Sequence, residues 1–403
     1  MTNLRIALIS MTDPSDVGLP HPRAFLRIAG ASLAQHQLGL ALALKCHRVI
    51  CIAPEPSPDL LAVQHLAEDS GVQFYVASGP RQIAAQVTAS DDLFLITDGL
   101  FADPAGAVPL LEAGRSLVLV QPVEGPQASA FERIDLNRAA AGLARIPGSL
   151  VERLHEHPAD CDAISTLMRI ALQSRAAMIE VPAATRSGAS WRLVRSEAEA
   201  VEVEQEWLRE HFGTNGPRTP GRMLARSAAL MLGSSLLQRG GASNLVSGVV
   251  LILLAMAALL GWFGFVIPGF VCAGSGWVLV EAGRRLRVAE RRPLGEMIPA
   301  VERADALLWV VDAVLAGLVL AASPPLAGEA VLTWLFAPVI FFLLLTMAPR
   351  LLEPRAAAWV ADRVLLALVL AIGALFGSVQ LLVEAFALAL VVWELVLMKR
   401  SSV

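Results

Sequence analysis

Apolar positions are distributed along this chain in two different ways. Through the first half they come in short bursts. "LRIALIS", "RVICIA", "VQFYVA", "DLFLITD" and "SLVLVQP" are strand-length and rich in Ile, Val and Leu. Stretches of helical period separate them, among them "SLAQHQLGLALALK", "DLLAVQHLAEDSG" and "RQIAAQVTA". That alternation predicts an α/β domain, a sheet with helices on its faces. From residue 244 onward the apolar runs lengthen toward the ~20 residues that cross a bilayer as a helix. Six candidate spans follow, at 245–264, 266–282, 305–322, 329–347, 360–377 and 379–397. The second is short and Gly-rich, and "FGSVQ" is the expected break between the last two.

Between the two patterns lies "GRMLARSAALMLGSSLLQRGG", where Met223, Leu224, Leu230, Met231 and Leu237 recur at helical spacing with Arg222, Arg226 and Arg239 at the edges. It is expected to be an amphipathic helix lying in the membrane interface, or else an exposed connector. "FGTNGPRTPGR" before it carries the Gly and Pro of a boundary. The expected organisation is a domain at 1–212, a linker and interfacial helix at 213–243, and a six-helix all-α polytopic membrane domain at 244–403.

Composition sharpens this picture. Hydrophobic residues make up 55% of the 403, and the excess is concentrated in the second half. The net charge of −4 gives no reason to expect a nucleic acid partner. Cys46, Cys51, Cys161 and Cys272 form no CxxC pair, so reduced, isolated thiols are expected rather than zinc or disulfides. The apolar part of "MTNLRIALIS" is too short for a signal peptide, so the first domain is expected to stay in the cytoplasm. Arg is clustered in "RRLRVAERRPLGEMIPAVER" and "PRLLEPRAAAWVADR", and "KRSS" follows the last span, while the alternate connections lack Lys and Arg. The positive-inside rule then places both termini in the cytoplasm. Only Lys45 and Lys399 among the 32 basic residues are Lys, which points to a GC-rich bacterial genome and so to a bacterial inner membrane.

The candidate chemistry is carried by carboxylates. Asp98 and Gly99 follow the strand-like "DLFLI", and ligands of open α/β sheets bind beyond the carboxyl ends of strands. A carboxylate there can hold a divalent metal against nucleotide phosphates, and Asp-Gly equally starts a turn. In the membrane half Asp312 and Glu384 fall inside predicted spans, where ionisable residues are functional candidates by default. Asp312 can instead pair with a neighbouring Arg.

These residues resemble a known family. The first strand, "HPRAFLRIAGASLAQHQL", "RVICIAP" and "LITDGL" are similar to the sugar nucleotidyltransferases with their GT-A-like (Rossmann-like) fold. Arg23 stands where that family has a Lys, Gly30 fits its next element, and Asp98 matches its metal-binding Asp. "AAAGLARIPGSLVERL" and "SWRLVRSEAEAVEVEQEWL" resemble its later elements. The resemblance implies nucleotide binding at Arg23, Asp98 and Gly99 and a Mg²⁺ or Mn²⁺ cofactor. The chain departs from the pattern at two places. Where the family has a Gly-rich phosphate loop this sequence has "SMTDPSDVG", with Asp13, Pro14 and Asp16. A second metal-binding Asp is expected near Val194 or Arg195, and neither can serve. Asp135 substitutes only if the chain folds back toward Asp98.

The ordering of soluble domain, amphipathic helix and six spans resembles bifunctional enzymes of lipid-headgroup synthesis, whose membrane domain is a CDP-alcohol phosphotransferase. That family cages two metals with four Asp on its second and third helices. Aligned on Gly295, the segment places Glu281 at the second Asp, while Val278, Pro299 and Arg303 replace the others. Three readings follow. One is a catalytically degenerate scaffold or partner subunit, a homodimer or a complex with a paralogous enzyme among membrane lipids. Another is an active enzyme with a rebuilt metal site built from Asp98 with Asp13, Asp16 or Asp135, and Glu281 or Asp312, acting on CTP or a CDP-alcohol. The last is a lipid transporter or flippase working through Asp312 and Glu384.

Overall fold

The computed structural model describes residues 3–15, 22–124, 128–158, 161–213, 218–237, 242–291, 303–325 and 331–401. The chain divides into two compact units, Met1–Glu210 with Ala289–Met297, and His211–Val288 with Ile298–Val403.

The strands of the first unit are β1 (Arg5–Ser10), β2 (Arg27–Ile28), β3 (Ala31–Ser32), β4 (Arg48–Ile52), β5 (Gln73–Ala77), β6 (Asp92–Ile96), β7 (Leu100–Ala102), β8 (Leu117–Pro122), β9 (Arg138–Pro147), β10 (Ala177–Glu180) and β11 (Trp191–Leu193). Its helices are α1 (Leu33–Ala43), α2 (Pro58–Asp69), α3 (Pro80–Gln86), α4 (Pro104–Glu112), α5 (Ala163–Gln173), α6 (Ala183–Arg186) and α7 (Glu197–Gly213). Seven strands form one sheet in the order β10-β8-β9-β6-β1-β4-β5. Every neighbouring pair is parallel except those made by β9, which runs antiparallel to both β6 and β8. The result is a mostly parallel α/β sheet, as the alternating pattern predicts.

The continuous apolar strands follow from this topology, since a sheet covered on both faces buries both sets of side chains. Ile6, Leu8 and Leu95 lie in one core and Ala7, Ile9 and Ile96 in the other. The five strand-like runs become β1, β4, β5, β6 and β8. β9 carries no such signal, because "RAAAGLARIP" is Ala-rich and Ala is a poor strand former. Its central place in the sheet, nearly all of it buried, overrides that preference. Arg145 of β9 pairs at 2.7 Å with Asp92 of β6, both almost buried, and lies over the Phe94 ring. A registered ion pair of this kind helps align the odd strand.

β2 and β3 make a tight hairpin whose two central residues, Ala29 and Gly30, have φ of 52° and 86°. The Ala29 amide donates to the carboxylate of Glu204 on α7, which is 1% exposed and whose Oε1 makes no hydrogen bond. Burial pushes the Glu204 carboxyl up to about 7, with the Ala29 hydrogen bond opposing. A raised folded-state value stabilises the fold at low pH, and that contribution fades as pH rises toward 7. Glu204→Gln keeps the acceptor and removes the charge. We expect the variant to be more stable than the wild type above pH 7 by roughly 3 kcal/mol, and the difference to vanish near pH 4. Unfolding of the two proteins at a series of pH values checks this; parallel pH profiles overturn it.

The second unit is all helical: α8 (Pro220–Leu237), α9 (Ala242–Trp262), α10 (Val266–Arg291), α11 (Arg303–Ala322), α12 (Val331–Leu351), α13 (Pro354–Val360), α14 (Arg363–Leu375) and α15 (Val379–Ser401). Three stretches among the described residues are long and apolar enough to cross a membrane: Leu245–Trp262, Val266–Val288 and Asp305–Ala322. Only 22% of the first and third is buried, against 50% of the second, so α10 is the inner helix and α9 and α11 present apolar side chains outward. Exposed Trp262, Trp309, Phe336, Phe376 and Leu388 extend that surface. A face of this extent points to lipid rather than water.

The remaining apolar helices are shorter, Trp334–Ala348, Arg363–Leu375 and Val379–Trp393. The expected fifth span, 360–377, is interrupted. α13 ends at Val360 with Ala361 as its C-cap, and Asp362 caps α14, accepting from the Val364 and Leu365 amides. α14 has 13 residues. At 1.5 Å per residue a helix of that length reaches about 20 Å, short of the ~30 Å hydrocarbon core.

Small residues hold α8 to its unit. Ala225 and Ala229 are fully buried, while Met223, Leu224 and Met231 point outward. The other oxygen of Asp362 accepts the Gly221 amide at 2.8 Å, which pins the start of α8 to the start of α14.

Candidate functional site

The carboxyl ends of β1 and β6 open side by side, and the chain leaving each forms the floor of a cleft. Beyond β6, Asp98 is 3% exposed. Its Oδ2 accepts the Thr12 and Asp13 amides at 3.0 and 2.9 Å. The backbone that follows β1 is therefore bound to a carboxylate of its own chain. Pro14 and Pro22 form an isolated bridge, and the Arg23 amide donates to the Asp13 carbonyl at 2.9 Å. These contacts close the base of the loop between them and deliver Arg23, at the start of a single 3-10 turn (Arg23–Phe25), to the cleft.

Arg23 pairs with the Asp13 carboxylate, and its Nε lies 3.8 Å from Asp98 Oδ1. Neither Arg23 Nε nor Asp98 Oδ1 makes a hydrogen bond, although both are buried. Burial pushes the Asp98 carboxyl up to about 7, against the opposing pull of Arg23 and of the Thr12 and Gly99 amides. Burial likewise lowers the Arg23 guanidinium below its usual value, Asp98 resists, and the neighbouring charge of Arg195 lowers it further. The cavity these groups line has a volume of about 290 Å³. Arg195 reaches it from the segment after β11, and Asp162 and Ser165 from the start of α5.

Gly99 sits at the turn after Asp98 with φ of 74°, and its carbonyl accepts the Val194 amide at 2.9 Å. Its role here is backbone geometry, since a Cβ would come within 2.6 Å of the Val194 carbonyl. Asp13 and Asp98 both line the cleft and both lie beside Arg23. Asp135 does not join them: it is absent from the cavity lining, and its Oδ1 accepts the Asn137 and Arg138 amides in the turn that leads into β9. The chain turns back into β9 at that point, so Asp135 is consumed as a turn former. Asp16, Gly295 and Pro299 lie outside the described residues.

In the second unit Glu281 pairs with Arg285 one turn along α10, at 3.6 Å, instead of standing free for a metal. Asp312 is held by Arg363 through two bonds, 2.8 and 3.0 Å, with both side chains nearly buried. Glu384 is exposed on α15 and accepts from Gln380 at 3.2 Å. Among the described residues Asp312 is thus an ion-pair partner and Glu384 a surface carboxylate.

Three residues had weaker sequence signals. Arg195 was legible as a missing carboxylate and not as a cation facing the cleft. Asp162 and Asp362 each precede an apolar helical run, the ordinary position of an N-cap; both cap, and Asp162 also lines the cleft.

The donors do not suit a divalent ion. Asp98 offers one oxygen already tied to two amides and another facing a guanidinium. Among the described residues no three His, Cys, Asp or Glu side chains gather as a metal would require. A carboxyl titrating near neutrality in a cleft is a candidate acid or base, but both Asp98 oxygens are turned toward the protein.

No family model matches the chain, and no curated protein matches it. Among solved structures, it is similar to a putative glucose-1-phosphate thymidylyltransferase from Bacillus anthracis in complex with a sucrose, at 13% identity over 50% of this chain and 94% of that one, with a TM-score of 0.39. It is also similar to the inositol-1-phosphate CTP transferase from T. maritima, at 13% identity over 51% and 96% of the respective chains, with a TM-score of 0.38.

Proposed function

We propose that this chain is an integral membrane protein with a nucleotidyltransferase-like cytoplasmic domain that has lost metal-dependent catalysis. Its second unit is a polytopic membrane domain of the CDP-alcohol phosphotransferase type, with three full-length spans and three shorter apolar helices among the described residues, also without its metal cage. The protein serves as a scaffold or partner subunit in lipid-headgroup synthesis at a bacterial inner membrane, with both termini cytoplasmic. It pairs with itself or with a paralogous enzyme.

The observation that carries this reading is the fate of the loop after β1. A phosphate loop works because unpartnered amides face the ligand. Here the Thr12 and Asp13 amides are spent on Asp98, the residue that would hold the metal. One set of contacts thus occupies two of the amides after β1 and one oxygen of the metal acceptor. Glu281 and Asp312, the corresponding candidates in the second unit, are neutralised by Arg285 and Arg363.

The test is release of pyrophosphate from CTP by the full chain in detergent, with Mg²⁺ and a panel of polyol phosphates. We expect no turnover above background, and the same background in Asp98→Asn. Mg²⁺-dependent turnover that Asp98→Asn abolishes would overturn the scaffold reading in favour of a rebuilt active site.

A further inference from the structure

We propose that β5, an open edge of the seven-stranded sheet, is where two copies of this chain join, their β5 strands running antiparallel about a two-fold axis at Tyr75. The inference rests on the pairing stated above and gives its self-paired form a surface.

The two edges of the sheet are built differently. β10 is short and guarded: Glu180 stands within it, paired with Arg186, and Pro182 follows two residues on. Charges and prolines of this kind keep a strand edge from taking up another strand. β5 has neither. "QFYVA" holds no charge and no Pro, and it pairs with β4 over five residues without a break in register. An edge left regular and uncharged offers its backbone as a template.

The groups on offer follow from the pairing with β4. In a strand the N–H and C=O of one residue point to the same side, and successive residues alternate. The Gln73 amide donates to the His47 carbonyl at 3.1 Å, and the Ala77 carbonyl accepts the Ala53 amide at 3.2 Å. Gln73, Tyr75 and Ala77 therefore face β4, while Phe74 and Val76 turn their backbone groups outward. Two outward residues flanking one inward residue complement themselves. In an antiparallel pair centred on Tyr75, Phe74 of each copy lies opposite Val76 of the other, and each such pair exchanges two hydrogen bonds. A slip of one residue sets outward groups against inward ones. A slip of two calls on Val72 or Ser78, whose amides already donate to the Ala67 carbonyl at 3.0 Å and to Gln82 Oε1 at 2.8 Å. The register is thereby fixed.

Side chains suit the same arrangement. Tyr75 and Val76 are 37% and 46% exposed. Arg48 of β4 lies over the Tyr75 ring at 5.1 Å and holds it against the sheet. Tyr75 meets its own copy directly, and aromatic cross-strand pairs stabilise a sheet. The charges beside the strand agree with the direction. Exposed Glu68 and Asp69 end α2 just before β5, and exposed Arg81 begins α3 just after it. Antiparallel pairing brings the acidic approach of one copy to the basic exit of the other, twice. Glu55 and Asp59 follow β4, one strand inward from the edge.

The experiment is disulfide trapping in the full chain in detergent, with Cys161 and Cys272 replaced by Ser and copper–phenanthroline as oxidant. Opposed residues of a non-hydrogen-bonded pair have Cα atoms about 4.5 Å apart, within the roughly 4.4–6.8 Å that a disulfide spans. Tyr75→Cys is expected to cross-link most of the chain as dimer. Gln73→Cys, which in this register lies opposite Ala77 of the other copy, is expected to stay at the background of the parent. Val76→Pro removes one outward N–H from each copy and none that β4 uses, and Val76→Lys places a charge on the edge. Each is expected to raise the dissociation constant of the dimer at least about tenfold by light scattering on dilution, with the far-UV circular dichroism unchanged. Cross-linking of Gln73→Cys in place of Tyr75→Cys, or of neither, overturns the inference. A dimer that survives both Val76 variants overturns it as well, and leaves self-pairing to another surface. A monomeric wild-type chain overturns self-pairing altogether, while the absence of catalysis stands or falls by the pyrophosphate assay.

Discussion

Replacing Arg363 by Leu is expected to destabilise the helical unit by about 3–5 kcal/mol, the usual cost of leaving one partner of a buried ion pair uncompensated. The geometry supports the upper part of that range. The guanidinium binds both oxygens of Asp312 and also donates to the Val360 carbonyl at 3.2 Å. The two side chains are 9% and 13% exposed. In an apolar surround neither water nor another cation replaces it. Asp312→Asn should cost less, because an amide keeps an acceptor for the guanidinium, and it leaves a cation in place of an anion. The double variant Asp312→Leu, Arg363→Met removes both charges and is expected to recover most of the loss. Thermal unfolding of wild type, Arg363→Met, Asp312→Leu and the double variant in one detergent completes the cycle. Additive, small losses would mean that the pair is solvated and does not join α11 to α14. Arg363→Lys is expected to be intermediate, since an ammonium supplies the charge but not the two-pronged contact.

The same pair shows where sequence reasoning stops. Asp312 was visible as an intramembrane carboxylate, and pairing with an Arg was one of its two outcomes. Its partner was not visible, because Arg363 had been counted among the basic residues of a cytoplasmic connection. The chain breaks at Asp362, where a side-chain cap outcompetes the continuation of α13, and the break carries Arg363 into the helical packing. Hydropathy averages over such a break and reports one long run. In the first unit the sequence was informative for a different reason. Strands buried on both faces have to be continuously apolar, and β1, β4, β5, β6 and β8 announced themselves. β9 did not, because its place depends on being flanked by β6 and β8, a long-range condition that ten Ala-rich residues do not encode locally. Asp98 was legible as the end of a strand. That its acceptor would be turned on the loop after β1 was not, since the contact joins residues 86 and 85 positions apart.

Gly99→Ala is the second large effect, and it separates two costs that are usually confounded. Gly99 has φ of 74°, and an added Cβ would lie 2.6 Å from the Val194 carbonyl and 2.8 Å from Arg23 Cδ. The first neighbour is backbone and cannot swing away. The Val194 amide is bonded to the Gly99 carbonyl, and β7 and β11 pair immediately beyond, so the two segments would have to part. Gly71 provides the control, with φ of 77° and nothing within 4 Å of its added Cβ. Gly71→Ala should therefore show the conformational cost alone, about 1–2 kcal/mol. Gly99→Ala should show that cost plus the clash, about 3–4 kcal/mol in all, near the top of the range for single substitutions. Parting the segments also moves Arg195, the residue after Val194, and displaces the side chain of Arg23. Equal destabilisation by the two variants would mean that the Gly99 turn relaxes freely. In that case neither guanidinium is held in place by the β7–β11 contact, and the cleft takes its shape from the loop after β1 instead.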